Sequence, residues 1–314
     1  MNDDIKLDAG VSEAVKAIIE DISVYINLLT DFGFKRVFGI KEVMLNFLNS
    51  VLDIEGGITD LTYTNTEILG LTKEDRKAIY DLICTTGKGE RIIVEIQTFR
   101  QQHFKDRILF YIAMLIQEQN VKGKVEDKEW NFMLYPVYSV NILNFNLKED
   151  DKNAKTVAKT GKYLSYVQLI DKLNQEVFSD KLHIVCIELK RFGKELEEVK
   201  TVLEQWVYLI KHLHELENIP EELKSEVFEK IFEIAKIAKM SKDEVYTYLK
   251  SLNEMNLVQN EIISRDKMIE AKDVVIKKLS AERDNAISVI SLQVNTIAAM
   301  ERENTELRRR LGLT

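Results

Sequence analysis

The chain has 314 residues, 45% of them hydrophobic and 31% charged, with a formal net charge of -8. That composition supports at least one full-sized buried core, while two prolines and twelve glycines exclude collagenous and proline-rich architectures. No apolar run approaches the roughly 18 residues of a membrane helix, so no membrane association is expected, and the acidic total requires any phosphate-binding surface to be a local patch.

The first residues, MNDDIKLDAG, are acidic and lack an apolar signal core, which argues against secretion. Cys84 and Cys186 are far apart in apolar runs and read as reduced core residues, so a cytoplasmic protein is expected. The arm of about 25 residues leads into a predicted helix, SEAVKAIIEDISVYINLL. After DFGFKRVFG, the segment KEVMLNFLNSVL places Met44, Leu45, Leu48, Val51 and Leu52 on one helical face, and Gly56-Gly57 ends it.

From Ile58 the period changes. ITDLTYTNTEILG is rich in threonine and β-branched residues and reads as a strand. AIYDLICTT and ERIIVEIQTF flank Gly87-Lys88-Gly89 and predict a β-hairpin. A helix, HFKDRILFYIAMLIQEQ, follows, then strands over Phe132 to Leu143 and Leu182 to Leu189, with a lysine-rich surface excursion around 148–162 between them.

The rest of the chain reads as helical. Trp206, Leu209, Ile210 and Leu213 share a face, Pro220 separates that helix from the next, and Ser241-Lys-Asp-Glu244 has capping-box spacing. Counting by sevens from Ile262 gives Ile269, Ile276, Arg283, Ile290, Ile297, Asn304 and Leu311. The row three further on holds Leu279, Ala286, Met300 and Leu307, interrupted by Arg265, Lys272 and Gln293. This pattern predicts a coiled coil, with isoleucine and Asn304 at the first position favouring a parallel homodimer; a single docked helix is the alternative.

Several chemistries are set aside. There is no G-x-x-x-x-G-K-[ST], so no nucleotide cofactor is expected, and there is no G-x-S-x-G. His103, His183, His212 and His214 have no cysteine at zinc-ligand spacing. The hairpin is different. Ile92, Val94 and Ile96 point to one face of their strand, and Ile93, Glu95 and Gln97 to the other. Asp81 is the single carboxylate of the preceding strand. Burying two lone carboxylates on paired strands requires a counter-charge, and a divalent cation such as Mg²⁺ supplies one. The alternative is that both acids sit at strand margins, solvated or paired with Arg76, Arg91 or Arg107.

In order, TDFGFKRVFG, LNFLNSVL, an aspartate in a strand, VEIQ, HFKDRILFYIA, LYPVYSVNIL and IELKRF followed by a tryptophan resemble the PD-(D/E)XK nuclease family transposases, relatives of recombination-promoting nucleases. The resemblance covers about residues 27 to 255 and implies an α/β, restriction-endonuclease-like core: a mixed central sheet flanked by helices. To this core are added a C-terminal helical extension and the coiled coil. The expected division is the N-terminal arm with the start of the first helix over 1–25, a nuclease-like domain over 26–215, the helical extension over 216–255 and the coiled coil over 256–314.

The resemblance also implies a site. Asp81 and Glu95 become Mg²⁺ ligands (with Mn²⁺ as a substitute), the Ile96 carbonyl adds a third oxygen, and Gln97 stands where the general signature has lysine. A glutamine orients by hydrogen bonds and carries no charge, which opens the question of the general base. Asp31 and Lys35 are candidates for completing the site; otherwise Asp31 caps a helix and Lys35 is solvated. Arg107 and Tyr111, in an R-x-x-[YF]-Y block, contact phosphate or else Arg107 pairs with Glu95.

Between Lys73 and Arg107 there are eight basic and six acidic residues, which suits weak, salt-sensitive DNA binding without base reading. The resemblance thus implies an Mg²⁺-dependent DNA endonuclease linked to recombination or mobile elements. The competing reading is a nuclease-fold protein of weak or no activity that acts as a coiled-coil DNA-binding or scaffold module. RNA as substrate is also open.

Overall fold

The structure is a computed structural model, and it describes residues 23–68, 78–122, 132–147 and 162–312. The N-terminal arm, most of the first predicted helix and the excursion at 148–161 lie outside the described residues.

Residues 23–30 are not helical, in contrast to the helix expected to run through Leu29: a bridged stretch around Tyr25 leads into a turn at Asn27–Thr30. Tyr25 bridges Lys236, Ile26 N–H donates to Ala235 O at 3.0 Å, and Ile237 N–H donates to Val24 O at 3.1 Å. Pairing with a distant loop satisfies these backbone groups and buries Tyr25, Ile26 and Leu28 together.

Helix α1 (Asp31–Phe38) starts at Thr30, whose hydroxyl accepts from Gly33 N–H at 3.0 Å. Gly33 is required there, because a Cβ would stand 2.2 Å from Asn27 O. Helix α2 (Lys41–Val51) buries Val43, Met44, Phe47, Leu48 and Val51, close to the predicted face.

Among the described residues the main sheet has six strands, in the order β1 (Leu61–Tyr63), β4 (Leu82–Thr86), β5 (Arg91–Gln97), β6 (Val137–Leu143), β8 (Val177–Glu188) and β7 (Leu164–Ile170). A separate two-stranded ribbon pairs β2 (Glu67–Ile68) with β3 (Ala78–Ile79). β5, β6 and β8 run parallel, while the pairs β1/β4, β4/β5 and β7/β8 are antiparallel, so the sheet is mixed. The parallel centre reads as unbroken apolar sequence because both its faces are covered.

On one face, Ile92, Val94, Ile96, Val140, Ile142, Val185 and Ile187 pack under α1, α2 and α4 (Val202–His212). On the other, Ile93, Leu143, Ile184 and Cys186 pack under α3 (Phe104–Lys122). Each fully buried aliphatic side chain contributes on the order of 1.5–3 kcal/mol. Trp206 of α4 lies at the middle of the larger core, with the rings of Phe38, Phe47 and Phe228 at 5.4, 5.4 and 5.1 Å, and its indole N–H reaches Asn46 Oδ1 at 2.8 Å.

Helix α5 (Glu226–Ala235) and the start of α6 (Lys242–Arg310) join that same core through Phe228, Ile231, Phe232 and Tyr248. The capping box forms as spaced: Ser241 N–H donates to Glu244 Oε2 at 2.8 Å, and Glu244 N–H to Ser241 Oγ at 3.3 Å. The chain divides into two compact units, Met1–Met255 and Asn256–Thr314. In the second, helical as far as Arg310, Ile269, Ile276, Ile290 and Ile297 are all exposed.

Three further expectations need correction. β7 was not anticipated. The strand expected from Phe132 starts only at Val137, after Pro136, which lacks an N–H for the ladder. Asp81 sits in the bend between β3 and β4, not within a strand.

Candidate active site

Strand alternation sends Glu95 to the α3 face of the sheet, where it is 4% exposed. The bend at Asp81 brings the second carboxylate against it. Asp81 N–H donates to Glu95 Oε1 at 3.0 Å, and Ile96 N–H donates to Asp81 Oδ2 at 2.8 Å. Each carboxylate therefore holds its neighbour's backbone with one oxygen.

The electrostatics follow from this closeness. Burial pushes the Asp81 carboxyl up, opposed by its bond from Ile96 and by the charges of Lys35 and Arg107, and reinforced by Asp31. Burial, then the charge of Asp81, pushes Glu95 up to about 8, with Arg107 and Lys35 acting in the opposite direction.

The other named residues gather from two helices. Thr98 Oγ1 donates to Leu29 O at 2.7 Å, fastening the end of β5 to the turn before α1. Asp31 is the first residue of α1 and not its cap, which is Thr30. It pairs with Lys35 at 2.7 Å, and both side chains are exposed. From α3, Arg107 Nη2 lies 3.5 Å from Glu95 Oε2, and its other arm bonds Gln101. The guanidinium is stacked between Phe104 and Tyr111, 5.3 and 5.4 Å from the ring centroids. Burial raises the Tyr111 phenol, which stays a hydrogen-bond donor at neutral pH. Gln97 is half-buried, and its amide donates to the Ile96 carbonyl at 3.0 Å.

The residues anticipated from sequence thus converge on one end of β5. Thr98 and Gln101, which position them, were missed; they sit in TFRQQH, a polar run that reads only as a loop. Next to Glu95 in register, Asn141 is buried and bonded to Ser139 and Val185, a structural role.

A family model for the PD-(D/E)XK nuclease family transposases matches residues 28–262. The chain belongs to that family. No curated protein and no solved structure matches it. Membership accounts for the mixed sheet with helices on both faces. Among the described residues of this nuclease-family chain no helix is long and apolar enough to cross a membrane.

Family nucleases use divalent ions, and the donors here suit one. They are carboxylate oxygens with a backbone carbonyl beside them, the chemistry of a hard cation. Among the described residues no group of three or more His, Cys, Asp or Glu forms a metal cage. Two carboxylates with the remaining positions left to water and substrate is the usual Mg²⁺ arrangement. Among the described residues Arg107 Nε is buried without a hydrogen-bond partner beside Glu95, a cationic donor that suits a phosphate oxygen and not the metal itself.

Proposed function

We propose that the chain is a metal-dependent endonuclease that hydrolyses phosphodiester bonds in DNA with little sequence preference, linked to DNA recombination or mobile elements. One observation carries this reading: a buried carboxylate, Glu95, and a half-buried one, Asp81, are tied to each other's strand and bend in a nuclease-family chain. The charges of Arg107 and Lys35 offset this burial only in part, since both carboxyls are still pushed up, whereas a cation between them repays it.

Asp81 and Glu95 would hold Mg²⁺ or Mn²⁺, with the Ile96 carbonyl as a third oxygen. Bound there, the ion supplies Lewis acidity at the scissile phosphate. The Gln97 amide orients the attacking water, in place of the signature lysine. Lys35 provides the missing positive charge from α1, since its field already acts on both acids. Asp31 holds the Lys35 ammonium in place. Arg107, fixed by Glu95 and Gln101, presents its guanidinium to a phosphate, with the Tyr111 phenol as a neutral donor beside it.

A homodimer through the C-terminal coiled coil is part of the same reading, supported by the exposed isoleucine row of α6. Two copies of the site in one particle suit double-strand cleavage. A reducing, cytoplasmic setting is supported by the two free buried cysteines, Cys84 and Cys186.

The test is cleavage of supercoiled plasmid at low salt with Mg²⁺ or Mn²⁺, comparing wild type with Asp81→Ala purified in parallel. Nicking or linearisation by the wild type alone supports the reading. Equal activity in both proteins, or none with either metal, overturns it.

A further inference from the structure

A groove of about 730 Å³ runs between α1 and the first turns of α6. One wall carries Asp31, Phe32 and Lys35; the other carries Lys250, Ser251 and Glu254. The second set, with Thr247, recurs at i, i+3, i+4 and i+7 and therefore shares one helical face. An adjacent face of the same turns anchors in the core through Val245 and Tyr248, so the wall is rigid.

The two walls are also fastened to each other. Asn27 N–H donates to the Tyr248 hydroxyl at 3.0 Å, and Phe32 N–H donates to Ser251 Oγ at 3.3 Å. Arg36, at the groove's edge, is engaged by Glu244 and by Ile234 O at 2.9 Å. Lys250 is exposed and, among the described residues, forms no ion pair, not even with Glu254 one turn away. The Ser251 hydroxyl accepts from Phe32 and keeps its own proton to donate. Asp31 and Lys35 line the groove, and their charges act on Asp81.

We infer that this groove holds the sugar–phosphate backbone of the substrate strand beside the cleaved bond, with the Lys250 ammonium on a flanking phosphate. It rests on the nuclease reading of the adjoining acids. An unpaired ammonium and a hydroxyl donor, in a rigid channel that shares Lys35 with the site, match a phosphodiester and offer nothing that reads a base. The carboxylates of Asp31 and Glu254 keep the net attraction weak, as suits a strand that must be released.

The experiment is a fluorescence-anisotropy titration of a labelled DNA duplex over a range of salt, with Ca²⁺ in place of Mg²⁺. Wild type is compared with Lys250→Ala, Lys250→Arg and, as a control for charge alone, Lys277→Ala on the same helix. Loss of one phosphate contact predicts roughly eightfold weaker binding at about 0.1 M salt, and a salt slope shallower by about 1, for Lys250→Ala. Lys250→Arg keeps wild-type affinity, and so does Lys277→Ala. Circular dichroism melting verifies that each variant is folded.

If Lys250→Ala binds with the wild-type constant and slope, or if Lys277→Ala weakens binding equally, the groove is not the strand's path although the nuclease reading stands. A wild-type protein that binds no DNA even at low salt removes the nuclease reading itself, and that result precedes any variant.

Discussion

Asp81 and Glu95 hold each other through their backbones: the N–H of Asp81 bonds the Glu95 carboxylate at 3.0 Å, and the N–H following Glu95 bonds the Asp81 carboxylate at 2.8 Å. The bend after β3 and the strand β5 are thereby set to one register by the same groups that would bind a cation. Neither acid is free to turn away from the other, although burial pushes both carboxyls up and the charge of Asp81 pushes that of Glu95 further.

This arrangement trades stability for chemistry. Asp81→Asn keeps an oxygen to accept from Ile96 N–H and removes a carboxyl whose charged form burial disfavours. Plasmid cleavage falls at least roughly a hundredfold, while the metal-free protein gains about 1 kcal/mol, a few degrees in Tm. A thermal melt in EDTA measures the second effect. A variant that is both inactive and clearly less stable would indicate that Asp81 serves the fold alone.

The acids also set a pH dependence. Glu95, pushed up to about 8, keeps its proton when folded, whereas in the unfolded chain it ionises at about 4.3. Between those values the folded state binds more protons, so the metal-free protein loses stability as pH rises through the window. A divalent cation competes with that proton. The increase in Tm on adding Mg²⁺ therefore grows with pH up to about 8 and then levels off. A Mg²⁺ effect that does not change across this range would contradict the assignment.

Lys35 lowers both acids toward ionisation. In Lys35→Gln the carboxyls titrate higher, so the rising limb of the cleavage–pH profile moves to higher pH and the plateau rate drops roughly ten- to hundredfold. Lys35→Arg restores the position of the limb. A drop in rate with the limb unmoved would place Lys35 in substrate binding alone.

The exposed isoleucine row of α6 predicts association of two chains. Ile276→Lys and Ile290→Lys, each at the first heptad position, convert dimer to monomer by light scattering. Leu292→Lys, exposed but off the row, leaves the dimer intact. Linearised plasmid declines relative to nicked plasmid in the two monomeric variants. A wild type that is monomeric at all concentrations removes this prediction.

Much of the fold was legible because periodicity reports burial. The alternation of Ile92, Val94 and Ile96 against Ile93 divided the two cores as expected, and the Trp206 face and the Ser241 capping box formed where spacing put them. β7 was missed because most of its side chains are exposed, so hydrophobic alternation, which marks half-buried strands, is absent. Residues 23–29 carry enough apolar side chains for a helix, yet their backbone partners lie at 235–237, beyond the reach of any local rule.

By itself the sequence determined the kinds of groups available and the faces on which local geometry displays them: Glu95 and Gln97 on one side of a strand, Arg107 and Tyr111 four apart on a helix. Only the tertiary structure decided that Asp81 lies in a bend where its N–H is taken by Glu95, that Thr98 draws α1 in so that Lys35 acts on both acids, and that Lys250, more than two hundred residues after Asp31, shares a groove with it. The physical reason is range. Propensity and side-chain direction are fixed within a few bonds, whereas the field at a carboxylate is the sum over whatever charges the fold brings near, wherever they stand in the chain.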